Sequence, residues 1–238
     1  PDLTETISYC TMSEEQSALY ESEKSKVRNL VFEQLEKGNA NATPVMVLKA
    51  LMLLRQVANH PRMIDSKSMI ESGKFEEVTT KLETIVSEKH RVLIFSSFVK
   101  HLNIFEEYCK SKGFEYAMLT GSTTNRGKVI SEFKSNNHTG IFLISLKAGG
   151  IGLNLTEADY VFILDPWWNP AAEMQAVNRA HRIGQFKNVF VYRFITKDTI
   201  EEKILNLQQK KKALADAFIK PQAAIMGMSR EDILQLFE

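Results

Sequence analysis

The chain has 238 residues, 44% hydrophobic and 25% charged, which suits a folded protein with one substantial core and an appendage. No apolar run could span a bilayer and no secretory signal opens the chain, so no membrane partner is expected. A net charge of only +1 leaves any nucleic-acid binding to local patches. Cys10 and Cys109 lie far apart without metal-type spacing and read as reduced thiols of a cytosolic or nuclear protein; no metal site is expected. The first residue is Pro1 rather than Met, which reads as a piece of a longer protein.

Residues 4–8 form a short lead-in strand. Ser13, followed three residues later by Gln16, has the spacing of a capping box and opens a helix to about Lys37. The turn-rich break 38–44 precedes a second helix, Val45 to about Asn59, which His60-Pro61 ends. Two long helices without a strand pattern predict an α-helical appendage. A helix over about 75–88 then leads to the apolar run Val92-Leu93-Ile94-Phe95, the mark of a strand covered on both faces. Helix 99–112, a strand near Tyr116–Leu119, helix 125–134 and strand Ile141–Ile144 follow. A glycine-rich turn at 149–152 leads to strand Tyr160–Leu164, then to a helix opened by Asn169-Pro170, and to strand Val189–Phe194. A long helix over about 199–219 comes next, and Ser229 to Asp232 cap a short last one. Strands alternating with helices predict an α/β fold, a doubly wound, mostly parallel sheet with helices on both faces.

Ligands of such sheets meet the loops at the carboxyl ends of the strands. Four informative segments follow strands there: Ser96-Ser97-Phe98, Thr120-Gly121-Ser122-Thr123, Ser145 to Asn154, and Asp165-Pro166-Trp167-Trp168-Asn169. Hydroxyls and glycine-flanked amides suit phosphate oxygens. Taken alone, Thr120–Thr123 is a cap for the next helix, and Trp167 and Trp168 are packing aromatics. Gly149-Gly150-Ile151-Gly152 lacks the acidic partner of a dinucleotide fingerprint, so that reading is rejected. His138 and His181 lack partners at ligand spacing. On a continuous helix, Gln175, Arg179 and Arg182 would share one face at i, i+4 and i+7. A bare arginine pair is ordinarily a solvated face. Interleaved with Ala172, Ala176 and Ala180, it also suits a polyphosphate, because arginine offers a fixed charge and a planar donor fork.

Together these segments resemble the second RecA-like lobe of SWI/SNF-type ATP-dependent DNA translocases among the superfamily-two helicases. Arg91–Phe98 is similar to the family's fourth motif, Thr120–Thr123 to the segment called four-a and Ser145–Leu155 to the fifth. Asp165–Pro170 resembles the Trp-Asn-Pro signature, and Gln175–Gln185 the sixth. Two departures stand out: Ser97 replaces the usual Gln, and Thr120 the usual acidic residue. The resemblance implies a lead-in and helical protrusion over 1–74, a RecA-like helicase lobe over 75–197 and a brace helix with tail over 198–238. It implies catalytic roles for Arg179 and Arg182 as arginine fingers, with Gln175 positioning them or the attacking water. Gly150 and Gly152 would border ATP; Ser122, Thr123, Ser145, Lys147 and Trp168 would hold double-stranded DNA.

No Gly-x-x-x-x-Gly-Lys-[Ser/Thr] and no Asp-Glu-x-His occurs, so ATP with Mg²⁺ would be held mainly by an N-terminal lobe, and the 238 residues alone are expected to be inactive. A DNA-bound protein is a further expected partner. Asp-Pro-Trp-Trp-Asn-Pro is similar to bacterial members, which points to the cytoplasm and nucleoid; a eukaryotic member would be nuclear. Two other readings share the motifs: a non-catalytic RecA-like module binding nucleic acid or protein, and a lobe of a strand-separating helicase.

Overall fold

The computed structural model describes residues 1–38, 43–150, 152–167, 169–211 and 228–238. In chain order the elements are β1 (Leu3–Cys10), α1 (Glu14–Glu36), α2 (Thr43–Asn59), α3 (Gly73–Ser87), β2 (Val92–Ser96), α4 (Val99–Lys112), β3 (Tyr116–Leu119) and α5 (Arg126–Ser135). They continue with β4 (Ile141–Ser145), β5 (Tyr160–Ile163), α6 (Pro170–Val177), β6 (Val189–Thr196), α7 (Ile200–Lys211) and α8 (Arg230–Leu236). Short 3₁₀ turns lie at Pro61–Met63 and Ala148–Gly150. The chain divides into two compact units, residues 1–9 with 76–195 and residues 10–75 with 196–238.

The first unit is built on a six-stranded sheet in the order β1-β6-β5-β2-β4-β3. Strands β2 to β6 pair in parallel. The Val189 N–H donates to the Asp2 carbonyl and the Lys197 N–H to that of Cys10, one offset at both ends, so β1 is parallel as well. As the unbroken apolar runs predict, β2 and β4 are buried along their whole length. From β2 the chain moves toward β3, whereas from β5 it moves the opposite way to β6. The loops leaving β2 and β5 therefore diverge, which makes the crevice that a doubly wound sheet offers to ligands.

In the second unit Ser13 caps α1 by accepting from the Gln16 N–H, but the reciprocal half of the expected capping box is missing. The Gln16 amide instead donates to the Val57 carbonyl at 3.0 Å and accepts from the Gly73 N–H at 3.1 Å, tying α1 to the end of α2. Buried side-chain amides find partners wherever they are, and here the partners lie across the helix pair. Lys74 and Glu201 are both fully buried; the Lys74 Nζ donates to both Glu201 oxygens, at 2.7 and 2.5 Å, and to Asn59 Oδ1 at 2.9 Å. Glu201 also accepts from the Thr196 N–H at 2.8 Å, so one ion pair fixes the end of α2 and the starts of α3 and α7. Ser229 and Asp232 form a complete capping box on α8. The expected helix over 199–219 is described as far as Lys211; its remainder lies outside the described residues.

Candidate nucleotide and nucleic-acid site

The diverging loops are fixed from within the first unit. Asp165, two residues past β5 and fully buried, accepts from Ser96 Oγ at 2.6 Å, from the Ser97 N–H at 3.2 Å, and from the Ser97 hydroxyl. The serine that replaces the family's usual glutamine is thus turned inward to a carboxylate. Two residues on, the Trp167 N–H donates to Glu173 Oε1 at 2.6 Å, and Arg193 Nε donates to Glu173 Oε2 at 3.1 Å. Asn169 caps α6 through the Ala171 N–H with Pro170 at the first helical position, as its sequence predicts. Trp168, an expected DNA contact, lies outside the described residues.

The expectation that Gln175, Arg179 and Arg182 share one helical face is corrected. Helix α6 ends at Val177, and residues 178–180 form a tighter turn with i→i−3 bonds from Arg179 and Ala180. Donors from outside the helix accompany the stop: the Leu155 N–H donates to the Arg179 carbonyl at 2.9 Å, and the Gln185 amide to that of Ala180 at 3.0 Å. Gln175 and Arg182 are exposed, while Arg179 is half-buried and donates through Nη1 to the Leu153 carbonyl at 3.4 Å. Segments 153–155 and 176–185 are therefore joined. Burial, and after it the like charge of Arg182, pulls the Arg179 guanidinium below arginine's ordinary range. Among the described residues Arg179 Nε is buried without a hydrogen-bond partner. A buried unpaired donor beside a second cation is costly in isolation and is relieved by an anion. A phosphate therefore fits.

The other predicted residues sit on separate turns. Gly152 is exposed with φ +64°, a conformation that favours glycine even though open space surrounds its Cβ position. Gly150 closes the 3₁₀ turn after β4. Ser145 is buried and accepts from the Ala148 N–H at 3.3 Å. Lys147 is exposed on the same turn, and Arg126 Nη2 donates to the Ala148 carbonyl at 3.2 Å. Thr120–Thr123 is not the cap of α5, contrary to its reading in isolation, because Asn125 takes that position through the Lys128 N–H. The tetrapeptide closes on itself: the Thr120 N–H donates to Thr123 Oγ1 at 3.0 Å, and the Thr120 and Ser122 hydroxyls are 2.9 Å apart.

Sequence reasoning missed the anchors Asp165, Glu173 and Gln185, since a buried acid or amide carries no periodic signal. Among the described residues no three His, Cys, Asp or Glu side chains converge as metal ligands, and no helix is long and apolar enough to cross a membrane. A cavity of about 710 Å³ against β3 and α5, lined among others by Tyr116, Met118, Val129, Glu132 and Phe133, includes none of the predicted residues.

A parallel sheet with arginines and glycine-bearing turns at its loops defines a helicase-type C-terminal lobe, and residues 73–184 match the family model "Helicase conserved C-terminal domain". The chain is 30% identical to the C-terminal domain of the Sulfolobus solfataricus SWI2/SNF2 ATPase over 98% of its length and 96% of that domain, with a TM-score of 0.79. The Sulfolobus ATPase core in complex with dsDNA matches at 31% identity and a TM-score of 0.82, over 98% of this chain and 49% of that one. The "ISWI chromatin-remodeling complex ATPase ISW2" of Saccharomyces cerevisiae is 37% identical over 81% of this chain and 19% of that protein. The chain belongs to the SWI2/SNF2 family, of which it forms a helicase C-terminal domain. It spans about a fifth of the length of relatives such as ISW2.

Proposed function

We propose that this domain is the second motor lobe of an ATP-dependent double-stranded DNA translocase, completing an ATP site whose other half lies on an N-terminal lobe. The observation that carries the reading is the Arg179–Arg182 pair, with one buried Arg179 donor unpaired and the like charge of Arg182 close enough to act on Arg179. ATP enters as substrate. Arg179 and Arg182 would stabilise the charge that spreads over the γ-phosphate oxygens during transfer, a role worth about 10³–10⁵ in rate for arginine fingers. Gln175, exposed on α6, would orient the arginines or the attacking water, and Gly150 and Gly152 would let the backbone approach the nucleotide. Mg²⁺ would come with the triphosphate on the facing lobe.

Lys147, Ser122, Thr123 and the 145–148 turn would hold DNA through phosphates, which carries no sequence information. The dsDNA complex of the Sulfolobus relative supports this assignment. Nucleotide bonded from both lobes closes the cleft, and hydrolysis releases it, so the lobes shift on the duplex. Residues 1–74 would serve as lead-in and protrusion, and residues 198–238, which include α7, as brace and tail. A DNA-bound protein would be the cargo, in the nucleoid or the nucleus.

The test is Arg182→Ala in the intact translocase. Loss of one finger should slow DNA-stimulated ATP turnover at least about 100-fold while DNA affinity stays nearly unchanged, with the isolated 238-residue chain inactive as the control. A loss of only a few-fold, or robust magnesium-dependent turnover by the isolated chain, would contradict the reading.

A further inference from the structure

Gln185 closes the sixth-motif segment, and the proposed mechanism gives it no role. Its side chain is 5% exposed at the edge of a loop whose other members face solvent: Ile183 is 98% and Phe186 93% exposed, and Arg182 and Gly184 are exposed as well. Gln185 Nε2 lies 3.0 Å from the Thr156 carbonyl, 2.9 Å from that of Ala158 and 3.0 Å from that of Ala180. Its Oε1 accepts from the Phe186 N–H at 3.0 Å and the Lys187 N–H at 2.9 Å. The Gln185 N–H donates to the Arg182 carbonyl at 2.9 Å, closing a turn with Gly184 at φ +100°. Apolar packing does not hold the turn, because its two large apolar side chains point into water. One primary amide, donor and acceptor together, holds both ends of the turn to the segment before β5.

We propose that Gln185 is a positioning residue that sets the direction from which Arg182 is presented to the phosphate. The inference rests on the role proposed above for Arg182. An amide is needed there. A carboxylate of the same shape keeps the acceptor but loses both donors and faces three carbonyls; an aliphatic chain does neither job. The turn is thus built before nucleotide arrives, and no ordering is required of the Arg182 backbone when charge develops.

The experiment compares Gln185→Glu, Arg182→Ala and the double variant in the intact translocase, measuring kcat, the KM for ATP and DNA affinity. Gln185→Glu should lower kcat about tenfold or more, with KM and DNA affinity within about threefold. In the Arg182→Ala background it should remove less than about twofold further, since the group it positions is already gone. A full additional tenfold loss in that background would overturn the inference by showing a structural role alone. An unchanged kcat for Gln185→Glu beside a crippled Arg182→Ala would overturn this inference only, whereas an intact Arg182→Ala would bring down both readings. Should Gln185→Glu fail to fold, Gly184→Ala strains the same turn while its Cβ meets open space. It should lower kcat several-fold only when Arg182 is present, and no change would refute the proposal.

Discussion

Removing Lys74 alone should destabilise the second unit far more than removing Lys74 and the charge of Glu201 together. Both side chains are fully buried, and the Lys74 ammonium donates to both Glu201 oxygens and to Asn59. In Lys74→Met the Glu201 carboxylate keeps the Thr196 N–H but loses its counter-charge. An uncompensated buried charge costs about 3–5 kcal/mol. Domains of this size are stable by only about 5–15 kcal/mol, so about a fifth of the total or more is at stake. In Lys74→Met/Glu201→Gln, the neutral amide still accepts from Thr196 and no buried charge remains. That double variant should recover most of the loss and end within about 1–2 kcal/mol of the parent. The assay is equilibrium urea denaturation of the 238-residue chain followed by far-ultraviolet circular dichroism. With m-values of about 1–3 kcal/mol/M, the single variant should shift the midpoint by about 1 M or more. A double variant as unstable as the sum of Lys74→Met and Glu201→Gln would refute the reasoning, as would a single variant costing under about 1 kcal/mol.

Gly73→Ala should be nearly as damaging for a different reason: an added Cβ would sit 1.8 Å from the Thr11 carbonyl oxygen, so backbone must move, and expression with thermal melting should show a loss above about 3 kcal/mol. His60 accepts from the Arg62 N–H, and burial, with Arg62 adding to it, lowers its pKa from 6.5 to about 4. The folded state therefore prefers neutral His60: the stability it contributes is full above pH 6.5 and falls as pH drops toward 4, by about 3 kcal/mol in all. His60→Asn keeps an acceptor without the titration, so its stability should fall less steeply over that range in urea titrations; an unchanged slope would count against the assignment. Lys147→Ala in the intact translocase should weaken duplex binding alike for unrelated sequences and reduce the salt slope by about 1; sequence-selective loss would contradict phosphate tracking.

The sheet was legible because its central strands are bare apolar runs, Val92–Phe95 and Ile141–Ile144, which only two-sided burial accommodates. Caps with local partners, such as Asn169 and Ser229, could be read from adjacent residues. What misled was long-range pairing. Gln16 stands where a capping box needs it, yet its amide is spent on Val57 and Gly73. The periodicity of Gln175, Arg179 and Arg182 suggests a helix, yet α6 stops at Val177, and donors from Leu155 and Gln185 bond the Arg179 and Ala180 carbonyls beyond it. Arg179 still lies beside the residue that follows Gly152, because its Nη1 and its carbonyl bond Leu153 and Leu155. Asp165, Glu173 and Gln185 were beyond reach, since their partners lie on other strands and loops.

The central claim is that this lobe lends its half-buried Arg179 to a nucleotide seated mainly elsewhere. Its most direct test is single-turnover hydrolysis by Arg179→Ala in the intact translocase at saturating ATP and DNA. The account predicts γ-phosphate release slowed about 100-fold or more with ATP still bound. Release at the parent rate would mean that the Arg179 guanidinium serves the fold and not the reaction.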